Sequence, residues 1–181
     1  MKLKFSIGLI LFLFFNNTFS QNPSNKWVAG IHMGSVLYNE VNALKVGGAY
    51  IDQIPRLTLS RYMFNNITFE AGIGFSVIDS QKYTTFDGIA KYDFGTSYDN
   101  IVPYVLIGGS FISAEKFTPT LNFGVGNTFW VYPNYGINIQ IMYKFSETRF
   151  ESQTSHIYPT VGIIYSFKPR NMRTRLWDMK H

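Results

Sequence analysis

Ile67-Thr68-Phe69-Glu70-Ala71-Gly72-Ile73-Gly74-Phe75-Ser76-Val77 is the stretch on which the fold turns. Every odd position is apolar: Ile67, Phe69, Ala71, Ile73, Phe75 and Val77. Every even position is small or polar: Thr68, Glu70, Gly72, Gly74 and Ser76. Successive side chains of a β-strand point to opposite faces, so this alternation predicts a strand with one wholly apolar face. A helix would repeat its apolar positions every 3.6 residues, and no such stripe is present.

The same pattern recurs on both sides of it. Residues 119–129, 136–145 and 157–167 alternate as cleanly, and 27–38, 53–63, 84–94 and 101–112 carry it less regularly. That predicts eight strands of roughly ten residues, the length a tilted strand needs to cross a bilayer. The connections add a second regularity. One set is short (64–66, 95–100, 131–135), and the alternate set is longer (39–52, 78–83, 113–117, 146–155). Short turns on the periplasmic side and long loops outside are the habit of outer-membrane barrels. Rings cluster where strands end, at Tyr92 and Phe94, Phe129 and Trp130, Tyr143 and Phe145, and Tyr165 and Phe167, as expected of girdles at the two membrane interfaces. The fold expected is therefore all-β, an eight-stranded antiparallel up-and-down transmembrane barrel.

Composition agrees with a surface that meets something other than water. Of 181 residues, 18% are aromatic and only 15% charged. There is no cysteine, which excludes disulfides, thiolate metal sites and a lipidated N-terminal cysteine. Lys2 and Lys4, the apolar run Phe5 to Phe15, and Thr18-Phe19-Ser20 read as a signal peptide cleaved before Gln21, the run being too short to span a membrane as a helix. Without residues 1–20 the net charge of +5 becomes +3. The tail 168–181, with five Lys/Arg and one Asp, holds +4 of it and leaves the body 21–167 at −1. The basic charge thus belongs to a tail on an exported chain, which argues against nucleic acid as a partner. Three segments are expected: signal peptide 1–20, barrel 21–167, and a basic periplasmic tail 168–181. The location implied is the outer membrane of a Gram-negative bacterium.

Charges on the face opposite the apolar one are the candidate functional residues: Arg56, Glu70, Asp87, Lys91 and Lys144, with His32 and Asp93 on the same side. An eight-stranded barrel is just wide enough to be filled by its own side chains, so acids and bases inside it should meet across strands. Their positions along the strands place Glu70 to pair with Lys91, and Arg56 with Asp87. A polar plug is the plainer reading of this set, and a gate for a narrow pore is the sharper one.

Other chemistry finds little support. Gly72-Ile73-Gly74 and Gly124-Val125-Gly126 lack the helix that a phosphate-binding loop requires, and both members of each pair face one way on a strand. Asp52, Asp79, Ser80, Glu151 and His156 would lie at the outer rim, but their spacing composes no catalytic constellation, so no catalytic residue is assigned. His32, His156 and His181 form no ligand cluster, and neither metal nor cofactor is expected. The tail residues Arg170, Arg173, Arg175 and Trp177 are either a solvated end near anionic headgroups or a docking peptide for a periplasmic partner.

Stretches 54–62 (IPRLTLSRY), 86–94 (FDGIAKYDF), 103–109 (PYVLIGG) and 122–126 (NFGVG) make the chain resemble the OmpA-like outer-membrane β-barrel family, in its Bacteroidota form. The resemblance covers about 27–167. It implies an eight-stranded barrel with a charged internal plug; no enzymatic activity is expected, for want of a catalytic constellation. Many such proteins continue into a peptidoglycan-binding domain. This chain stops fourteen residues after its last expected strand, so the resemblance implies a barrel-only member serving as a structural protein or an accessory subunit of a larger outer-membrane assembly, such as a secretion or insertion machine. A narrow pore and an outer-surface binding or adhesion protein are the alternatives. The partners expected are outer-membrane lipid and other outer-membrane or periplasmic proteins, with no small-molecule substrate identified.

Overall fold

The computed structural model describes residues 27–38, 50–77, 83–96, 98–113, 117–147 and 155–172, of which 50–54 are described in backbone only. Eight strands follow one another: β1 (Trp27–Leu37), β2 (Tyr50–Phe64), β3 (Ile67–Phe75), β4 (Thr84–Asp93), β5 (Ile101–Ser113), β6 (Phe117–Trp130), β7 (Tyr135–Phe145) and β8 (His156–Ser166). Each pairs antiparallel with its sequence neighbour, and β1 pairs with β8, which closes the barrel. The expected fold class is the observed one, with strand ends moved by a few residues. Closure satisfies the backbone groups that an open edge would leave bare.

The register sets the tilt. From Trp27, the pairings run through Arg61, Phe69, Ala90, Ile107, Phe123, Tyr143 and Ile157, and return to β1 at Leu37. One circuit therefore climbs ten residues, from 27 to 37. With eight strands about 4.8 Å apart and a rise of about 3.3 Å per residue, that stagger tilts the strands by about 40°. An eleven-residue strand at this tilt rises about 28 Å, close to the apolar band of about 25 Å that such barrels present to lipid.

The two faces are inverted relative to a water-soluble domain. Ile31, Ile107, Phe111 and Ile163 are each more than half exposed on the outer wall, while Arg56 and Lys144 inside are fully buried. A continuous apolar exterior around a charged interior is stable only if the exterior meets hydrocarbon. At one end β2 turns into β3 through Asn65 and Asn66, with φ of 46° and 66°. Two successive left-handed residues make the tight hairpin turn that matches strand twist, and asparagine tolerates it better than most. This end, which also carries the connection 131–134, is called the turn end below, and the opposite end the loop end.

Glycines set the bore. A Cβ at Gly124 would collide with the carbonyl oxygen of Ile141, whereas one at Gly88, on the outer wall, would meet nothing nearer than the Gly109 carbonyl oxygen at 4.0 Å. Gly124→Ala should therefore destabilise the barrel by about 1–3 kcal/mol, the usual penalty of overpacking. Gly88→Ala should leave it unchanged or stabilise it by up to about 1 kcal/mol. Urea unfolding in detergent micelles, followed by tryptophan fluorescence, checks both.

Candidate functional site: a closed lumen

Alternation along the strands sends the even-numbered residues of most strands inward, and the stagger decides which of them share a level. Arg56 of β2, Glu70 of β3 and Asp87 of β4 come from adjacent strands. Arg56 Nη2 donates to Glu70 Oε1 at 3.0 Å, and its Nε donates to Asp87 Oδ2 at 2.8 Å. Lys91, four residues beyond Asp87 along β4, reaches Glu70 Oε2 at 2.5 Å. Lys144 comes from β7 and crosses the lumen to Asp87 Oδ1 at 2.7 Å and to the Thr85 hydroxyl at 2.6 Å. The five residues form one chain in which charge alternates, Lys91–Glu70–Arg56–Asp87–Lys144.

Hydroxyls satisfy the lone pairs left over. Thr85 and Ser110 donate to Asp87 Oδ1 at 2.7 and 2.6 Å, and Ser60 donates to Glu70 Oε2 at 3.1 Å. Two rings take up the remaining cationic surface, with Lys91 4.6 Å from the Tyr104 ring centroid and Lys144 4.6 Å from that of Tyr158. An ion pair in a low-dielectric interior survives only with such geometry and such supporting donors. His32 is buried beside the chain, its Nε2 2.9 Å from the Thr58 hydroxyl.

Toward the loop end the charges give way to an apolar and aromatic layer built on Val36, Tyr38, Tyr83, Ile112, Met142 and Tyr158. Tyr83 stacks on Tyr158 with ring centroids 6.3 Å apart and shares a 2.9 Å hydrogen bond with His156 Nε2. Tyr38 packs on the other side of His156 at 5.2 Å. His156 begins β8 at the loop-end rim, where the sequence placed it, but its side chain is 2% exposed and held between two tyrosines. Of the other rim candidates, Asp79, Ser80, Glu151 and the side chain of Asp52 lie outside the described residues.

Toward the turn end a second lid forms from Val102, Trp130 and Ile164, with Val28 and Met172 packed against it. Trp130 is a correction to the sequence reading, which took it with Phe129 as an interfacial ring. The period of two turns Phe129 outward and Trp130 inward, where it is 6% exposed. Arg170 also differs from a projecting tail. Its backbone N–H donates to the Pro133 carbonyl at 2.9 Å, and its guanidinium lies 4.5 Å from the Trp130 ring centroid. Burial lowers its pKa to about 10, and the nearby Asp93 and Asp99 carboxylates oppose that fall, so it stays cationic at neutral pH. Arg173, Arg175 and Trp177 lie outside the described residues.

Between this lid and the ion chain lies a cavity of about 60 Å³, lined by Ser60, Thr68, Glu70, Lys91, Asp93 and Asn138 among others. It has room for a few waters and no organic substrate. Tyr104 closes its wall by donating to Gln140 Oε1 and accepting from Asn138 Nδ2, both at 2.9 Å. Among the described residues no three His, Cys, Asp or Glu side chains converge to hold a metal. Sequence reasoning missed both lids. Tyr38, Tyr83 and His156 meet only because three different strand ends converge over the bore.

No family model matches the sequence, and no curated protein is significantly similar to it. Solved structures are more informative. The N-terminal β-barrel domain of OprF from Pseudomonas aeruginosa superimposes with a TM-score of 0.58 at 14% identity, over 77% of this chain and 97% of that one. Neisserial surface protein A gives 0.54 at 15% identity over 79% and 97%. Ail, the attachment invasion locus protein of Yersinia pestis, gives 0.51 at 14% identity over 78% and 97%. The fold is thus that of the small eight-stranded outer-membrane β-barrels, a likeness of architecture at identities this low.

The ion chain predicts strongly coupled substitutions. Asp87→Ala leaves Lys144 without a carboxylate and Arg56 with Glu70 alone, and should cost about 3–5 kcal/mol in urea unfolding. Combining Asp87→Ala with Lys144→Met should cost at least about 1 kcal/mol less than the sum of the two single changes.

Proposed function

We propose that this protein is a non-conducting, non-enzymatic barrel of a Gram-negative outer membrane, belonging with the OmpA-like barrels in their Bacteroidota form. In this reading residues 1–20 are an export signal, 21–167 the barrel and 168–181 a basic periplasmic segment. The turn end faces the periplasm and the loop end the outside. Its role is that of a structural protein or an accessory subunit of a larger outer-membrane assembly, exercised through outer wall, loops and periplasmic end rather than through the bore.

The observation that carries this reading is the closure of the lumen at three successive levels: the Tyr38–His156–Tyr83–Tyr158 layer, the ion chain from Lys91 to Lys144, and the Trp130–Arg170 lid. A pore would need all three displaced at once. An enzyme would need a reactive group with access to substrate. The ion chain's carboxylates are buried and committed to cations, and the cavity beside them has room for only a few waters.

Planar-bilayer recordings of the purified protein are expected to stay silent at moderate voltage. Discrete conductance steps would overturn the reading in favour of the narrow pore, above all if their size changed with Arg56→Gln or Glu70→Gln. Extraction in mild detergent is expected to bring down a stoichiometric outer-membrane or periplasmic protein; a clean monomer would leave the structural role and remove the accessory one.

A further inference from the structure

The outer wall carries one departure from its apolar rule. Among the described side chains of the strands, Arg61 is the sole charged residue facing outward; it is exposed and lies 5.1 Å above the ring of Trp27, its partner across β1 and β2. A charge on the lipid-facing wall costs about 2–4 kcal/mol at the bilayer midplane and little near the interface. The Arg61 level is the turn end, three residues before β2 ends at Phe64. On the other side of Trp27, the Phe167 backbone N–H donates to the Trp27 carbonyl at 3.3 Å, and Lys168 follows, exposed. Two cations thus lie at the same rim, one on the β2 side of Trp27 and one on the β8 side.

Directly beyond them, toward the middle of the barrel, the wall is hollowed. Ala29 is the small outward residue of β1, paired with Leu59 on one side and Tyr165 on the other. Around it lies a groove of about 840 Å³ walled by Ile31, Leu57, Ile137, Ile163 and Tyr165. A second hollow of about 610 Å³ shares Tyr135, Ile137 and Ile163 with it and carries it to the connection 131–134 at the turn end. The depression is therefore apolar along its length and opens at the rim that holds Arg61 and Lys168.

We propose that this groove is a binding site for an anionic glycerophospholipid of the leaflet at the turn end. One acyl chain lies in the hollow over Ala29, and the headgroup phosphate is held between Arg61 and Lys168. The occupant follows from charge complementarity. A zwitterionic lipid fits the apolar groove but brings its own ammonium to a rim that already holds two cations, whereas an anionic lipid brings net negative charge; a second copy of this chain offers those cations no acid, since its outer wall has none among the described strand residues. The site rests on the membrane reading above and adds to it a chosen lipid and a place for it.

The test is native mass spectrometry of the full chain purified from membranes and exchanged into detergent with equal amounts of phosphatidylglycerol and phosphatidylcholine. The expected result is retention of phosphatidylglycerol over phosphatidylcholine, falling about fivefold for each of Arg61→Gln and Lys168→Gln. Ala29→Trp, which fills the groove, should remove both lipids. Heat-modifiable migration on gels reports folding independently of lipid. Equal retention of the two lipids by folded protein, unchanged selectivity in the two glutamine variants, or a lipid-free dimer lost on Ala29→Trp would overturn the proposal while leaving the barrel in place. Absence of any folded, heat-modifiable species would overturn the membrane reading and the lipid site together.

Discussion

Asp87 accepting both Arg56 and Lys144 is the interaction from which the rest of the interior follows. The contact between Asp87 and Arg56 joins β4 to β2, and Lys144 brings β7 across the bore to the same carboxylate. Backbone ladders hold each strand only to its neighbours; this cluster ties opposite walls together. It also sets where everything else is placed. Small residues such as Gly72 must sit beside the Arg56 guanidinium, because a Cβ there would lie 2.7 Å from Nη2. The hydroxyls of Thr85 and Ser110 must point at Asp87. Large rings then have room only above and below the charged level, which is where the two lids form.

The periodicity was enough to read the barrel, its strand number and its lipid-facing side, because a period of two with one apolar face has few other solutions. Glu70 with Lys91, and Arg56 with Asp87, could also be read, since the members of each pair lie at similar distances from the same end of their strands. Lys144 to Asp87 could not. Those residues are three strands apart, and their common level depends on the ten-residue climb, which no local pattern encodes. Trp130 was misassigned for a different reason: bulk and position at a strand end resemble an interfacial ring, and only strict counting separates it from Phe129. The aromatic lid at Tyr38, Tyr83 and His156 depends on how strand ends converge across the bore, and sequence spacing carries no trace of that.

Closure by β1 and β8 has its own cost. The pairing of Val28 with Ser166 joins the two ends of the strand sequence, so the last ladder cannot form before β8 is made. Loop closure of that length is entropically unfavourable and slow, and it is repaid only when every strand is in place. Until then the outer wall has no stable home in water, and the interior charges have no partners. Insertion and interior pairing therefore belong to one cooperative event.

The ion chain is not electrically balanced. Arg56, Lys91 and Lys144 face Glu70 and Asp87, an excess of one positive charge in the narrow middle of a bore walled by low-dielectric material, while Asp93 and Asp99 sit with Arg170 toward the turn end. Any transient breach of the two lids, whether by heat or by an applied field, would open onto that excess. Small cations would be turned back and anions admitted, so the leak of a damaged barrel would carry a sign, and its reversal potential in a salt gradient would lie on the anion side of zero.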